Sequence, residues 1–456
     1  MADLSTVSNI LKEYYLGPVQ EQLNNDVLLL QRLTASSEDL VGKAAFVPLH
    51  TGRNGGVGAV NENAQLPAAG SQKYNRAEYD LKYLYGRIQV SGPSMAKTKS
   101  DAGSFLQILR GELDGVRNDL QKDLARQVYG KGDGVLADSL ATSGGLDPAT
   151  AVTAGGTLTV KLASWEVIKK AQIFTGESVD LYKLVPSTGV STFLATGTIG
   201  VITTAAAATS TVAITVEGAT SIAATTAADL TVYITRKGSA AVSPARYATS
   251  TRSSEIDGLA RIINASVSTA STGISATTSN FVGKIDGYNT FWDNGRLSTG
   301  TVGTPGPITL QILQKAFNSS RTQAGNPTLG IMSLGVLRSL YSLLTVTQQF
   351  VSNTGTMDFK AGFQTITYNN VPMVGDIDAP YGQIQLLDES TLKVFSDEDW
   401  HFLDADGQTI RQVSNYDQFE AIMVRYMNIG ANNRAKNTVI TDVGVDTSGA
   451  TADYGV

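Results

Sequence analysis

Residues 104–130 read SFLQILRGELDGVRNDLQKDLARQVYG, and their reading decides how the rest of the chain is placed. The apolar side chains Phe105, Leu109, Leu113, Val116, Leu120, Leu124 and Val128 recur in steps of three and four, which puts them on one face of a helix. Taken from Asp101 to Tyr129, the helix has about seven turns and is roughly 40 Å long, beyond the usual globular length. The other face carries Arg110, Glu112, Asp114, Arg117, Asp119, Lys122, Asp123 and Arg126, whose signs balance. Pairs such as Arg110–Asp114 and Asp114–Arg117 stand at helical spacing. Gly111 and Gly115 interrupt the helix, each costing ~1 kcal/mol relative to alanine, so packing has to hold it. Locally this is an amphipathic core helix. Its neighbours in sequence give it a larger meaning.

Immediately before it, residues 46–92 are unusual. A strand-like Ala45–Leu49 leads into TGRNGGVGAVNENAQLPAAGSQKYNRAEY (residues 51–79), rich in glycine and poor in large apolar groups. Then Tyr79–Ser91 alternates Leu81, Tyr83, Tyr85 and Ile88 with polar residues, broken at Gly86, as a two-faced strand does. The expectation is a long hairpin with an extended tip, too thin for a core of its own. The alternative is a surface loop without fixed structure. The aromatics Tyr74, Tyr79, Tyr83 and Tyr85 favour the hairpin, because they need a surface to cover. Residues 1–45 read as an arm with helices over Leu4–Leu16 and Val19–Leu33, the second carrying the stripe Val19, Leu23, Val27, Leu30. Neither helix can bury its stripe alone.

After the helix, Gly130–Gly134 is a turn and not a phosphate loop, since no Gly-Lys-Ser/Thr ending follows. Residues 151–250 then become threonine-rich and sparsely charged. Strands are expected over Thr157–Leu162, Val179–Val185, Thr198–Thr204, Thr211–Val216 and Leu230–Arg236, with a short helix at Ser164–Phe174. That pattern predicts a small β-barrel or sandwich inserted into the chain. Beyond it, Ile308–Phe317 and Leu334–Leu344 are helices flanking a buried strand. From Gly362 the chain is strand-rich, with hairpins turning at Asn369-Asn370 and Asp406-Gly407 and a long β run over Asp417–Asn428. Helices and strands in this order predict an α+β body. The tail after Asp446 is expected to be disordered.

Composition narrows the function. The chain has 456 residues, enough for two to four domains; 42% are hydrophobic, only 17% are charged, and the formal net charge is −6. A chain of this sign is no general nucleic-acid binder. It has no cysteine, hence no disulfide, thiolate metal site or cysteine nucleophile. The start, MADLSTVSNILKEYY, lacks a basic region followed by an apolar core, and no run of ~18 apolar residues occurs, so neither export nor membrane insertion is expected. Only His50 and His401 are available as imidazoles, and no Gly-x-Ser-x-Gly elbow is present. Asp404-Ala405-Asp406-Gly407 lacks the remaining ligands of a calcium loop and reads as a turn. The acidic run Asp397, Glu398, Asp399 reads as a solvated face. No catalytic, cofactor or metal residue is assigned, and a structural role is expected.

The order of these features resembles the major capsid proteins of tailed bacteriophages, the Hong Kong 97-type fold. The resemblance rests on Glu62-Asn63-Ala64-Gln65-Leu66-Pro67 in its glycine-rich loop, the strand ending at Val90-Ser91, Met95 and the long helix. It continues through Tyr129-Gly130-Lys131-Gly132-Asp133-Gly134 and, later, Gly362 and Val371-Pro372-Met373-Val374. It implies an N-terminal arm (1–45), an extended loop hairpin (46–92) lying over a neighbour, and a peripheral domain (93–150) with the helix as its spine. An all-β inserted domain (151–250), an axial domain with returning segments (251–361), peripheral and axial strands (362–446) and a tail (447–456) follow.

The implied function is a head protein that self-assembles, as hexamers and pentamers, into the icosahedral shell around a double-stranded DNA genome, with DNA near it but not gripped. No fused scaffolding segment is read ahead of the arm, so a separate scaffolding protein is expected; portal, maturation protease and decoration proteins are further partners of such shells. Assembly contacts are expected at Glu62, Leu66, Pro67, Lys73, Tyr74, Tyr79, Gly111 and Gly115. Some members cross-link a loop lysine to an asparagine; Lys73 is the loop's lysine and Asn353 or Asn369 the acceptors it would need. Two other functions stay open at this point. One is an encapsulin-like nanocompartment shell; the other is a β-rich adhesin or glycan-binding protein, suggested by residues 151–250.

Overall fold

The computed structural model describes residues 28–33, 35–36, 40–42, 44–62, 65–93, 102–132, 134–138, 146–147, 155–162, 172–185, 190–204, 210–217, 231–238, 255–264, 282–285, 291–300, 305–347, 366–403 and 410–444. Within the arm, the described helical part is one turn, α1 (Leu28–Arg32), where Leu29 and the following Leu33 are buried. Arg32 secures it through a two-pronged pair with Glu389 at 2.6 and 3.1 Å. The helix expected at Leu4–Leu16, and most of the one expected at Val19–Leu33, lie outside the described residues. So do Met95, Asn353, the expected turn at Asp406-Gly407 and the tail.

Two short strands, β1 (Ala35–Ser36) and β2 (Leu40–Val41), lead into β3 (Ala44–Gly52). β3 pairs antiparallel with β4 (Lys73–Asp80), and β2 adds to its other edge. Tyr79–Ser91 is not one strand, as expected, but two. β5 (Lys82–Ser91) leaves the hairpin after a single residue, Leu81, and pairs along its whole length with β21 (Gln418–Ala431) in a different sheet. The cause is anchoring on both sides of the break. Tyr79 donates its hydroxyl to the Ala431 carbonyl at 2.8 Å and accepts from the Ala431 N–H at 3.0 Å, and Asn428 Nδ2 donates to the Asp80 carbonyl at 2.7 Å.

The long helix, α2 (Ala102–Tyr129), lies on β5. Gly86 is its seat: a Cβ there would stand 2.5 Å from Leu120 and 2.7 Å from Val116. A side chain at 86 would therefore lift the helix. Burial grows toward the C-terminus, where Leu124, Ala125, Val128 and Tyr129 enter the core, while Gly111, Asp114 and Arg117 are exposed. Gly258, just before α3 (Leu259–Asn264), backs directly onto the main chain of Gln127 and Gly130.

Next comes a seven-stranded, wholly antiparallel sheet. It comprises β6 (Val135–Asp138), β7 (Leu146–Asp147), β8 (Thr157–Lys161), β9 (Ser178–Val185), β10 (Val190–Thr204), β11 (Ser210–Glu217) and β12 (Thr231–Arg236) in the order β6-β12-β9-β10-β11-β8-β7. Four of its strands fall where expected, β10 starts eight residues before the expected Thr198, β6 and β7 were not expected, and one boundary is corrected. The sheet begins at Val135, not after residue 150, because β6 pairs with β12. Among the described residues the seven strands form one sheet, with β6 and β7 at its ends, around its own core, Leu158, Val160, Leu181, Ile199, Ile214 and Val232 among them. The expected helix over Ser164–Phe174 lies mostly outside the described residues.

The remaining chain builds two sheets. One has the order β13 (Gly295–Ser298), β22 (Thr438–Thr441), β17 (Ile384–Leu387), β14 (Leu329–Met332), β16 (Val371–Gly375), β15 (Ile366–Tyr368). Helices α4 (Leu310–Thr322) and α5 (Leu334–Thr347) share one core with one face of it, through Leu313, Phe317, Val336, Leu340, Met373 and Leu386. Thr309 caps α4 by accepting from the Ile312 N–H at 3.3 Å. The Asn369-Asn370 turn forms as expected, both residues at positive φ (49° and 65°), as a two-residue hairpin demands. The last sheet joins β1, β18 (Leu392–Ser396) and β5 to β21. β19 (His401–Phe402) and β20 (Arg411–Gln412), expected to pair with each other, each pair with β21 instead.

Between the sheets lies the main core, which gathers Leu29, Tyr79, Val128, Ile262, Trp292, Leu329 and Phe395 from segments far apart in sequence. Arg434 is buried within it, donating to the carbonyls of Ile262 and, at 3.1 Å, Trp292. Burial, reinforced by the charge of Arg296, lowers its pKa to about 9.

Candidate assembly surface

Among the described residues, the β3–β4 hairpin with its connecting loop carries the largest group of strongly exposed apolar side chains. Its root is inside: Ala45, Val47, Ala77 and Tyr79 are buried. Lys284 clasps the outer side of the root, reaching Glu78 and, at 2.9 Å, Asp80. Burial alone would lower the Lys284 pKa, but the two carboxylates outweigh it and raise it. The clasp hangs from a 3-10 turn, Val282–Lys284, whose Val282 carbonyl accepts from the Trp292 indole at 3.0 Å.

Past Ala77 every residue of β4 toward the tip is exposed. Local contacts hold the shape: His50 Nε2 lies 2.7 Å from Gln72 Oε1, the His50 and Tyr74 rings are 5.4 Å apart, and Arg76 sits 5.1 Å over Phe46. Asn54 closes a turn by accepting from the Gly56 N–H at 2.8 Å, and Gly70 passes so near Asn54 and Gly55 that a Cβ would collide. Val57 is 86% exposed, Leu66 77% and Tyr74 74%, with Val60 also exposed. Tyr74 stands on β4 and the other three in the connection between β3 and β4, large apolar groups open to solvent in the single chain.

The expected contact residues divide accordingly. Glu62, Leu66, Lys73 and Tyr74 are exposed on this one hairpin, with Pro67 half-buried beside them. Tyr79 is corrected: at 1% exposure, bonded to Ala431 and stacked 5.6 Å from Phe395, it is a core residue of this chain. Gly111 and Gly115 lie on α2, and a Cβ on either meets nothing within 4 Å. Their absence of side chain serves no packing within the described residues.

Sequence reading missed a second exposed feature. On β5 the buried set is Lys82, Leu84, Ile88 and Val90, beneath α2, so Tyr83 and Tyr85 face outward, opposite to the apolar face expected for them. Tyr83 and Tyr85 pack edge-on to Tyr426, at 5.3 and 6.4 Å, and His401 approaches the same ring at 6.3 Å. The signal was present in the two-residue spacing of the tyrosines. The choice of face depends on Gly86 and α2, which local sequence does not show.

Nothing in this arrangement resembles a reaction centre. Among the described residues no group of three or more His, Asp or Glu side chains is placed to hold a metal ion, and no helix is long and apolar enough to cross a membrane. What the surface offers is shape and apolar area.

No protein-family model and no curated protein matches the sequence. Solved structures do. A chain of the Cyanophage A-1(L) capsid asymmetric unit matches with a TM-score of 0.54 at 12% identity, covering 97% of this chain and 99% of that one. The capsid of a native GTA particle matches at 0.45 and 10% identity over 97% and 100% of the two chains. The holo-SrpI encapsulin complex from Synechococcus elongatus matches at 0.45 and 8% over 98% and 97%. The chain thus shares the fold of the cyanophage capsid chain.

Proposed function

We propose that the chain is a major capsid protein of the Hong Kong 97 type, which assembles into the icosahedral shell enclosing the double-stranded DNA genome of a tailed bacteriophage. The observation that carries this reading is the uncovered hairpin on a subunit with a capsid fold. A ribbon that exposes Val57, Leu66 and Tyr74 without a core is covered only by another subunit. When each copy lays its hairpin on the next, the contact is heterologous, and under rotation it closes into rings, here hexamers and pentamers. The residues assigned to that contact are Glu62, Leu66, Pro67, Lys73 and Tyr74. The sheet of residues 135–236 is the inserted domain, and the sheet built on β14, β17 and β22 is the axial domain. Sparse charge and a net of −6 limit repulsion between copies and keep the shell from seizing packaged DNA. Scaffolding, portal, protease and decoration proteins are its expected partners.

Negative-stain electron microscopy of purified protein, alone and with its scaffolding protein, tests the reading. Closed shells large enough for a phage genome are expected. Protein that stays monomeric under every condition rejects a shell function, and a small cage filled with protein assigns the chain to cargo compartments instead.

The helix glycines give a further expected outcome. Gly111→Ala with Gly115→Ala stabilises α2 by up to ~2 kcal/mol, raising the melting temperature, because no atom obstructs either Cβ. Reduced shell yield or altered curvature in the same variant shows that a neighbour's backbone uses the space. Unchanged shells show that it does not.

A further inference from the structure

A set of charges joins the sheet of residues 135–236 to the C-terminal half of α2. Arg236, at the end of β12, reaches Asp123 of α2 at 3.0 Å and Glu177, just before β9, also at 3.0 Å. Asp123 is held further by Arg126 at 3.0 Å and by the Gln127 amide at 2.7 Å. Arg126 in turn pairs with Glu255 on the approach to α3 and donates to the Val135 carbonyl at 3.5 Å. One guanidinium is thus shared by carboxylates from two parts of the fold, and they are served unequally. Both oxygens of Asp123 are occupied. Glu177 uses only Oε1; its side chain is 6% exposed and its Oε2 is buried with no partner.

We propose that this joint is a proton-controlled clamp: a proton taken up by Glu177 tightens the docking of the β6–β12 sheet on α2, and its loss loosens it. An ionised carboxylate with a buried, unpartnered oxygen is desolvated on docking, and half of a shared guanidinium offsets only part of that. The neutral acid avoids most of it. Burial raises the Glu177 pKa and the Asp123 charge adds to the rise, while Arg236 and a hydrogen bond from the Phe174 backbone pull it down without cancelling it. Asp123 behaves oppositely: burial would raise its pKa, but Arg126 and Arg236 outweigh that and lower it. The charged groups facing Glu177 among the described residues are Arg236 and Asp123; Lys237, next to Arg236, is turned to Glu217 at 3.4 Å.

A group whose pKa is raised by docking favours docking as pH falls through that raised value. A group whose pKa is lowered loses its contribution only at still lower pH, below the ordinary aspartate range. Docking is therefore tightest under mild acid and weaker on either side.

Hydrogen exchange of the full-length chain over residues 117–129 and 178–185, corrected for intrinsic rates, reads this out at about pH 8 and in the ordinary glutamate range, about pH 4.5. Wild-type protection is expected to be several-fold higher at the lower pH. Glu177→Gln should abolish that difference and match the wild-type low-pH value at both. Unchanged pH dependence in Glu177→Gln, or protection below wild type at both pH values, overturns the proposal, because Glu177 is then an ordinary ion-pair partner. Arg236→Gln supplies an independent arm: losing the guanidinium should reduce protection more at the higher pH than at the lower, and an equal loss at both also overturns it.

Discussion

Replacing residues 57–66 with a two-residue turn is expected to abolish shell formation while leaving the subunit folded. Val57, Val60 and Leu66 all lie in that segment and touch no core, so their loss removes nothing from the stability of the isolated chain. In a shell each would be buried against a neighbour, worth ~1.5–3 kcal/mol per side chain before ordering costs, and the contact repeats in every copy. Removing it everywhere shifts assembly from complete to undetectable. Leu66→Asp is the milder form, with a raised threshold concentration for assembly. Sedimentation velocity and electron microscopy report assembly, and a thermal melt reports folding. Shells of normal diameter from the shortened protein, with an unchanged melt, remove the hairpin from the assembly contact.

The largest expected effect on folding is at Trp292. Its side chain is 1% exposed, its indole donates to Val282 at 3.0 Å, and its carbonyl receives Arg434. Trp292→Ala removes a large buried ring, at ~3–5 kcal/mol, and leaves the Val282 carbonyl only its long 3.5 Å bond from the Ile285 N–H, at ~1 kcal/mol more. That approaches the whole stability of a typical domain, ~5–15 kcal/mol. Trp292→Phe keeps most of the apolar contact and loses mainly the donor, so it is expected to cost ~1 kcal/mol. Urea midpoints at constant slope separate the two. Equal losses would show that the hydrogen bond, and not the ring's packing, holds the Val282–Lys284 turn and with it the Lys284 clasp.

What could be read from sequence follows how local its cause is. The helix over Ala102–Tyr129 was legible because its stripe repeats for seven turns, and the Asn369-Asn370 hairpin because both residues accept positive φ. The strands from Thr157 to Arg236 announced themselves by β-branched runs between turns. By contrast, the break at Leu81 is set by Ala431 and Asn428, some 350 residues away, and local alternation ran straight through it. The same distance hid Tyr79 in the core. The start of the seven-stranded sheet at Val135 was invisible because its partner strand lies nearly a hundred residues later. For the assembly surface, the glycine-rich composition of the hairpin tip pointed to the right segment. Which aromatics stay outside it depended on Gly86 and the helix seated there.

That pairing of β6 with β12 has a consequence for how the protein can change over generations. The first and last strands of that sheet are zipped together, Ala137 opposite Ile234 and Asp138 opposite Tyr233, so the chain enters and leaves the sheet side by side. A change of length between those two strands, within residues 139–230, leaves their paired ends where they are. Loop-closure entropy grows only slowly with length, so such changes cost little. Side-by-side ends make this stretch the place where relatives of the chain are expected to differ most in length.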